Sequence, residues 1–159
     1  MTRRPFLAAL SALGLAPKLV VAQGAAPKIE PFKLSDAEWK KRLSPAAYDV
    51  LRHEGTERPG SSPLNAEKRK GRFHCAGCDL PLFSSDTKYE SGTGWPSFYA
   101  ALPGSVGTTV DRKLFVARTE YHCIRCEGHQ GHIFDDGPKP TGKRYCNNGV
   151  ALKFVPESA

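Results

Sequence analysis

The chain has 159 residues, 40% hydrophobic and 25% charged, with 15 glycines, 13 prolines and a formal net charge of +7. That is room for one domain with a buried core, and so much Gly and Pro favours turns and short strands over long helices. Residues 1–22 carry Arg3, Arg4 and Lys18 and no acid, which leaves 20 basic against 16 acidic residues, a balance of +4 that speaks against a nucleic-acid binder.

The N-terminus, MTRRPFLAALSALGLAPKLVVAQG, joins a basic start to an apolar stretch from Phe6 to Leu15 and a small-residue exit at Val20-Val21-Ala22. This is the pattern of an export signal, and the apolar run is too short to span a bilayer. TRRPFL sets an arginine pair before a weak apolar core, as twin-arginine signals do; an ordinary secretory signal or a disordered basic tail are the alternatives. Export in the folded state suits a protein that loads metal first, because metal binding and folding are coupled. The expected organisation is an export signal at 1–22, a Pro-bearing linker at 23–33, one domain at 34–156 and a tail at 157–159. The mature chain is expected in the periplasm, with no stable membrane span.

The domain opens with two short helices. Ser35 with Glu38 forms a capping box before a helix in LSDAEWKKRL. Ser44-Pro45 starts a second helix, AAYDVLRHEG, with Gly55 as its expected stop. A Gly/Pro/Ser-rich loop, TERPGSSPLN, follows. From residue 71 the signals are strand-like: residues 107–123 read as two β-rich runs around Asp111-Arg112-Lys113. Residues 144–155, RYCNNGVALKFV, read as one last strand with a bulge at Asn-Asn-Gly. The expected fold class is mainly β (α+β), a small antiparallel β-fold with the short N-terminal helices alongside.

The five cysteines divide four and one. FHCAGC (73–78) and YHCIRC (121–126) share the pattern aromatic-His-Cys-x-x-Cys, with 44 residues between the pairs. Cys75, Cys78, Cys123 and Cys126 therefore make a closed CxxC…CxxC set for one tetrahedral Zn²⁺, structural because no coordination position stays open. Two redox disulfides or four buried thiols are the competing readings. His74 and His122 point away from the metal in extended backbone and read as packing or supporting groups.

Cys146 is left without a sequence partner. It reads either as a small buried hydrophobe or as a nucleophile. In extended backbone Arg144, Cys146 and Asn148 project from one face, and a guanidinium beside a thiol favours the thiolate. His129 and His132, in GHQGHIFDDGP (128–138), suit acid–base work near neutral pH, with Asp136 to orient one of them; a second metal pair is the alternative for this HxxH. Trp95 and Phe98 in SGTGWPSF read as core residues, or as an aromatic grip left open by small neighbours for an apolar methyl or sulfur group.

GTERP, CAGCDLPLFSSDTKYESGTGWPSF, RTEYHCIRC and GHQGHIFDDGPKPTGKRYC together resemble the type-B methionine sulfoxide reductases, specific for the R epimer at sulfur. The likeness spans about residues 34–156. It implies two antiparallel β-sheets, a β-tent, with a zinc staple distant from the active site. It further implies that Trp95 packs against the substrate methyl and that Cys146 attacks the sulfoxide sulfur. His132 leads in donating to the oxygen, supported by His129 and Asp136, while Arg144 and Asn148 organise the thiolate. Cys146 is then left as a sulfenic acid.

Many members of that family carry a second, resolving cysteine where this chain has Thr93. Four ligands and one nucleophile use all five cysteines, so an external thioredoxin-like thiol is expected as reductant. The chain departs from the family pattern at Gly60 and Gln130, and at Asn147 and Gly149 on either side of Asn148. A zinc-stapled β-tent that binds a ligand or partner without catalysis is the competing function, and it has no need of a cysteine at 146.

Overall fold

The computed structural model describes residues 29–113 and 116–158. The export signal and most of the linker lie outside the described residues. Among the described residues no helix is long and apolar enough to cross a membrane.

The first helix, α1 (Asp36–Arg42), begins with the expected capping box. The Ser35 side chain accepts from the Glu38 backbone N–H, and the Glu38 carboxylate takes the Ser35 N–H at 2.8 Å. The second, α2 (Pro45–His53), is capped by Ser44 with Pro45 in its first turn. Its end differs from expectation. Glu54, not Gly55, adopts the left-handed conformation (φ +57°). Gly55 lies against the Asp49 side chain, whose carboxylate would have to move aside for a Cβ there.

Among the described residues nine strands form two sheets, and every strand pair is antiparallel. The smaller sheet, in the order β2-β1-β9, holds β1 (Gly71–Cys75), β2 (Pro81–Ser84) and β9 (Leu152–Pro156). The larger holds β3 (Lys88–Tyr89), β4 (Ser97–Phe98), β5 (Val106–Asp111), β6 (Arg118–Cys123), β7 (His129–Phe134) and β8 (Arg144–Asn147), in the order β3-β4-β8-β7-β6-β5. The mainly β, two-sheet architecture is as expected.

The expected single strand at 144–155 is instead two strands in different sheets. A 3₁₀ turn, Gly149–Ala151, breaks it. The Glu57 carboxylate fixes that turn by accepting the Gly149 and Val150 N–H groups at 2.5 and 3.2 Å. Gly149 is also required by space, since a Cβ there would overlap the Ser62 side chain. Thus β8 delivers Cys146 to the large sheet while β9 returns to close the small one.

Aromatic rings fill the space between the sheets. Phe83 stacks on Phe98 with centroids 4.2 Å apart, and Phe73 and Tyr121 meet this pair edge-on. All four are fully buried. The helices cover the cysteine knuckles: Trp39 packs over Gly77, and Leu51 lies so close to Gly128 that a Cβ there would overlap it. Three arginines hold the knuckle carbonyls, namely Arg42 on Gly77 (2.6 Å), Arg125 on Cys78 (3.0 Å) and Arg52 on Cys126 (2.9 Å).

Candidate active site

The four paired cysteines converge. Their sulfurs all lie within 4.8 Å of one another, with Cys75–Cys126 at 3.6 Å and Cys78–Cys123 at 3.5 Å. Four thiolates ~2.3 Å from a tetrahedral Zn²⁺ stand roughly 3.8 Å apart, so the set fits that ion. All four are buried and no disulfide links them. His74 and His122 are not ligands: His74 Nδ1 meets the Asp79 carbonyl at 2.9 Å, and His122 Nδ1 the Glu120 carboxylate at 3.0 Å.

Cys146 stands apart, half-buried on β8. It lines a cleft of about 140 Å³ with Thr56, Trp95, Arg118, His132, Phe134 and Asn148. A larger hollow of about 460 Å³ lies by Lys70, Arg72 and His74. It contains no thiol, so the chemistry belongs to the smaller cleft. The β7–β8 register sets His132 directly opposite Cys146, on the same face of the sheet.

The polar groups in and beside the cleft are held from behind, although Arg144 and Asp136 do not themselves line it. Arg144 donates Nε and Nη2 to the two Asp136 oxygens at 2.7 and 2.8 Å, and its guanidinium lies 4.2 Å from the Phe134 centroid. Asp136 thus orients the arginine, not a histidine. The carboxylate on His132 is Asp111 of β5, 2.8 Å from Nε2. Asp111 is itself held by the Lys113 N–H and by Arg118 at 2.5 Å, and these contacts keep its pKa far below the usual carboxylate range. Asn148 is braced twice, donating to the Gln130 carbonyl and accepting the Glu57 N–H, both at 3.0 Å. Glu57 also takes the Trp95 indole N–H on its carbonyl at 3.1 Å.

His129 does not line the cleft. It is buried behind His132, with ring centroids 5.5 Å apart, and its Nδ1 lies 2.8 Å from Glu120. Burial pushes the Glu120 carboxyl up, but hydrogen bonds from His129, His122 and Thr109 prevail and pull it down to about 2. Phe98 is not brought to the cleft either, since it belongs to the stacked core. Phe134 is the aromatic that joins Trp95 at the cleft wall.

The charge states depart from expectation. A guanidinium-lowered Cys146 was expected, yet burial dominates and raises the thiol above its ordinary value. The positive charge of Arg144 and the polar Thr93 side chain nearby offset only part of that rise. Burial likewise lowers His132, against the pull of Asp111. At neutral pH the resting pair is therefore a thiol and a neutral imidazole. Its Nε2–H donates to Asp111, which leaves Nδ1 as an acceptor.

Two of the family departures touch each other. Gln130 and Asn147 are both fully buried. Asn147 Nδ2 donates to Gln130 Oε1 at 3.4 Å, Tyr121 donates its hydroxyl to Asn147 Oδ1 at 2.6 Å, and Gln130 Nε2 faces Cys75 Sγ at 3.5 Å. The resemblance implies a leucine at 130 and an apolar residue at 147, so an apolar pair is here exchanged for a hydrogen-bonded one. Gln130→Leu is expected to cost about 1–2 kcal/mol and Asn147→Val more, because the latter also orphans the Tyr121 hydroxyl. Denaturation midpoints at unchanged slope check this; the opposite ranking would contradict the network.

The SelR domain family model matches residues 43–156. A peptide methionine sulfoxide reductase MsrB of Methanosarcina barkeri is 55% identical over 124 residues, covering 77% of this chain and 87% of that protein. One from Pseudomonas putida is 52% identical over 120 residues, covering 75% and 90%. Among solved structures, the Mis18 'Yippee-like' domain aligns with a TM-score of 0.47 at 18% identity, over 57% of this chain and all of that one.

Proposed function

The chain belongs to the type-B methionine sulfoxide reductase family, and from that premise we propose how its residues carry out the reduction of (R)-methionine sulfoxide to methionine. The observation that carries the reading is one cleft in which a lone thiol faces a carboxylate-held histidine across adjacent strands, with Trp95 beside them. The zinc set lies elsewhere and, having no open position, supplies stability and no chemistry.

A sulfoxide sulfur is a poor electrophile until its oxygen gains a proton or a strong hydrogen bond. The substrate methyl packs on Trp95, whose ring is aimed by the bond to Glu57. His132 takes the Cys146 proton on Nδ1, and Asp111 stabilises the imidazolium. The thiolate, next to Arg144, attacks the substrate sulfur while His132 returns the proton to the oxygen. The new bond between the two sulfurs and the sulfur–oxygen bond of the substrate then break as the hydroxyl passes to the Cys146 sulfur. Methionine leaves reduced by two electrons, and Cys146 is left as a sulfenic acid. His129 and Glu120 buttress His132 from behind.

With no second free thiol among the cysteines, the sulfenic acid passes to an external dithiol of the thioredoxin class. One thiol attacks the Cys146 sulfur and expels water, and its partner then releases Cys146 as the thiol. Oxidised methionine, in proteins and as the free amino acid, is the substrate class. The export signal would place this repair in the periplasm; a fusion of residues 1–25 to a reporter exported only when folded would stay inside the cell if that reading were wrong.

The test is an assay of both sulfoxide epimers with a dithiol. Only the R epimer is expected to be consumed, and equal consumption of both would contradict the reading. The active form carries one proton shared by Cys146 and His132, so kcat/KM should hold a plateau through neutral pH. Its acid limb should fall below the usual imidazole value and its alkaline limb above the usual thiol value. Asp111→Asn removes the group that raises His132, so the acid limb should move to still lower pH while the plateau drops by about tenfold or more.

A further inference from the structure

A chain of partners running from the nucleophile's strand to a zinc ligand dictates which way the Gln130 amide faces. A carbonyl can only accept, so the Asn148 carbonyl, 2.8 Å away, fixes the position of the Asn147 side-chain nitrogen. Asn147 Oδ1 then takes the Tyr121 hydroxyl at 2.6 Å. The second N–H of the Asn147 amide points at Gln130, which must offer Oε1 to it at 3.4 Å. The Gln130 nitrogen is thereby turned the other way, towards Cys75 Sγ and the Gly128 carbonyl, each 3.5 Å distant. For an atom as large as sulfur that is a hydrogen-bond length. A reversed Gln130 would set donor against donor at Asn147 and oxygen against both acceptors at its other end.

Burial makes this direction count. Gln130, Asn147, Tyr121 and Cys75 are all fully buried, so water does not solvate the Cys75 sulfur. Four thiolates around one Zn²⁺ carry an excess of negative charge, and an N–H donated to such a sulfur is a charge-assisted bond. Among the described residues Gln130 is the side chain that donates an N–H to a knuckle sulfur. The three arginines at the knuckles bond carbonyls instead. A leucine at 130, as the family pattern has it, could make no such bond.

We propose that Gln130 is a hydrogen-bond donor to the zinc-bound Cys75 thiolate, aimed by Asn147, that draws charge off this sulfur. Groups of this kind behind a metal ligand tune both the affinity of the site and the electron density on the ligand. The bond holds the metal more firmly and makes Cys75 a poorer nucleophile, leaving Cys146 as the reactive sulfur of the five. The inference rests on the four-cysteine zinc site and is independent of the sulfoxide chemistry, so its tests use no substrate.

The experiment replaces zinc by cobalt(II) and records the thiolate-to-cobalt charge-transfer band in the near ultraviolet. Removing a hydrogen bond raises the energy of the sulfur electrons, so Gln130→Leu is expected to move the band to longer wavelength. Its cobalt affinity, measured by chelator competition, should fall by about tenfold. Tyr121→Phe separates this from a general loss of stability: its denaturation midpoint should drop, but the Asn148 carbonyl still aims the amides, so its band should keep the wild-type position. The wild-type protein loaded with cadmium-113 needs no variant. There the Gln130 side-chain amide proton should show a nuclear spin coupling to the metal through the Cys75 sulfur. A wild-type band in Gln130→Leu, an equal shift in Tyr121→Phe, or an uncoupled Gln130 amide would each overturn the proposal. A wild-type chain that takes up no cobalt would overturn the metal site itself, and this bond with it.

Discussion

Replacing Cys123 by alanine is expected to abolish accumulation of the folded protein. The residue is fully buried at the end of β6, and its sulfur stands 3.5 Å from that of Cys78. A structural zinc contributes on the order of 10–16 kcal/mol, as much as or more than the ~5–15 kcal/mol stability of a whole domain. Three remaining thiolates leave an open, weaker site, and the knuckles are also where α1 and α2 dock. The loss should therefore reach Trp39 and Leu51 as well as the metal. Soluble yield, zinc content and tryptophan fluorescence check this. A soluble, metal-free Cys123→Ala protein with native fluorescence would contradict it.

Cys146→Ser should behave in the opposite way, keeping fold and zinc while losing reduction of the R sulfoxide by at least about a thousandfold, ~4 kcal/mol of barrier. A serine hydroxyl has nearly the shape of the thiol but is far less acidic and is a weak nucleophile in this cleft. Because Cys146 is no zinc ligand, nothing in the metal site should change. Substrate binding, carried by Trp95 and the cleft wall, should persist. Residual turnover within about tenfold of wild type would place the nucleophile elsewhere.

Much of the architecture was legible because local chemistry specified it. Ser35 with Glu38 and Ser44 with Pro45 mark helix starts that hold regardless of what packs against them, and two CxxC turns fit one ion at almost any separation along the chain. What stayed hidden depends on register or packing. Asp111 is 21 residues from His132 and meets it only because β6 lies between their strands. Asp136, closer in sequence, turns to Arg144 instead. Period-two alternation continues through RYCNNGVALKFV, so nothing local announces that Glu57, some ninety residues upstream, captures Gly149 and Val150 and splits the segment between two sheets.

Of the two aromatics, only Phe98 was misplaced, for a related reason. Small residues flank both Trp95 and Phe98, but residues three apart leave their loop and strand in different directions. Phe98 enters the Phe73–Phe83–Tyr121 stack, while the indole is tied to Glu57 at the cleft. The acidity of Cys146 was misjudged because an arginine two residues away is visible in sequence and burial is not. With burial winning, activation moves from a standing thiolate to a proton held between Cys146 and His132. Glu57 carried the weakest signal of all, a single acid in GTERP, although it braces Asn148, Trp95 and the turn after β8 together.

The central claim is that the substrate oxygen comes to rest on one sulfur. A single turnover of the zinc-loaded protein with (R)-methionine sulfoxide, without any reductant, followed by dimedone trapping and peptide mass analysis, tests it most directly. The expected result is one methionine released per chain and one sulfenic-acid adduct, on Cys146. Stoichiometric methionine with Cys146 still a free thiol, or with the adduct on one of the four knuckle cysteines, would contradict it.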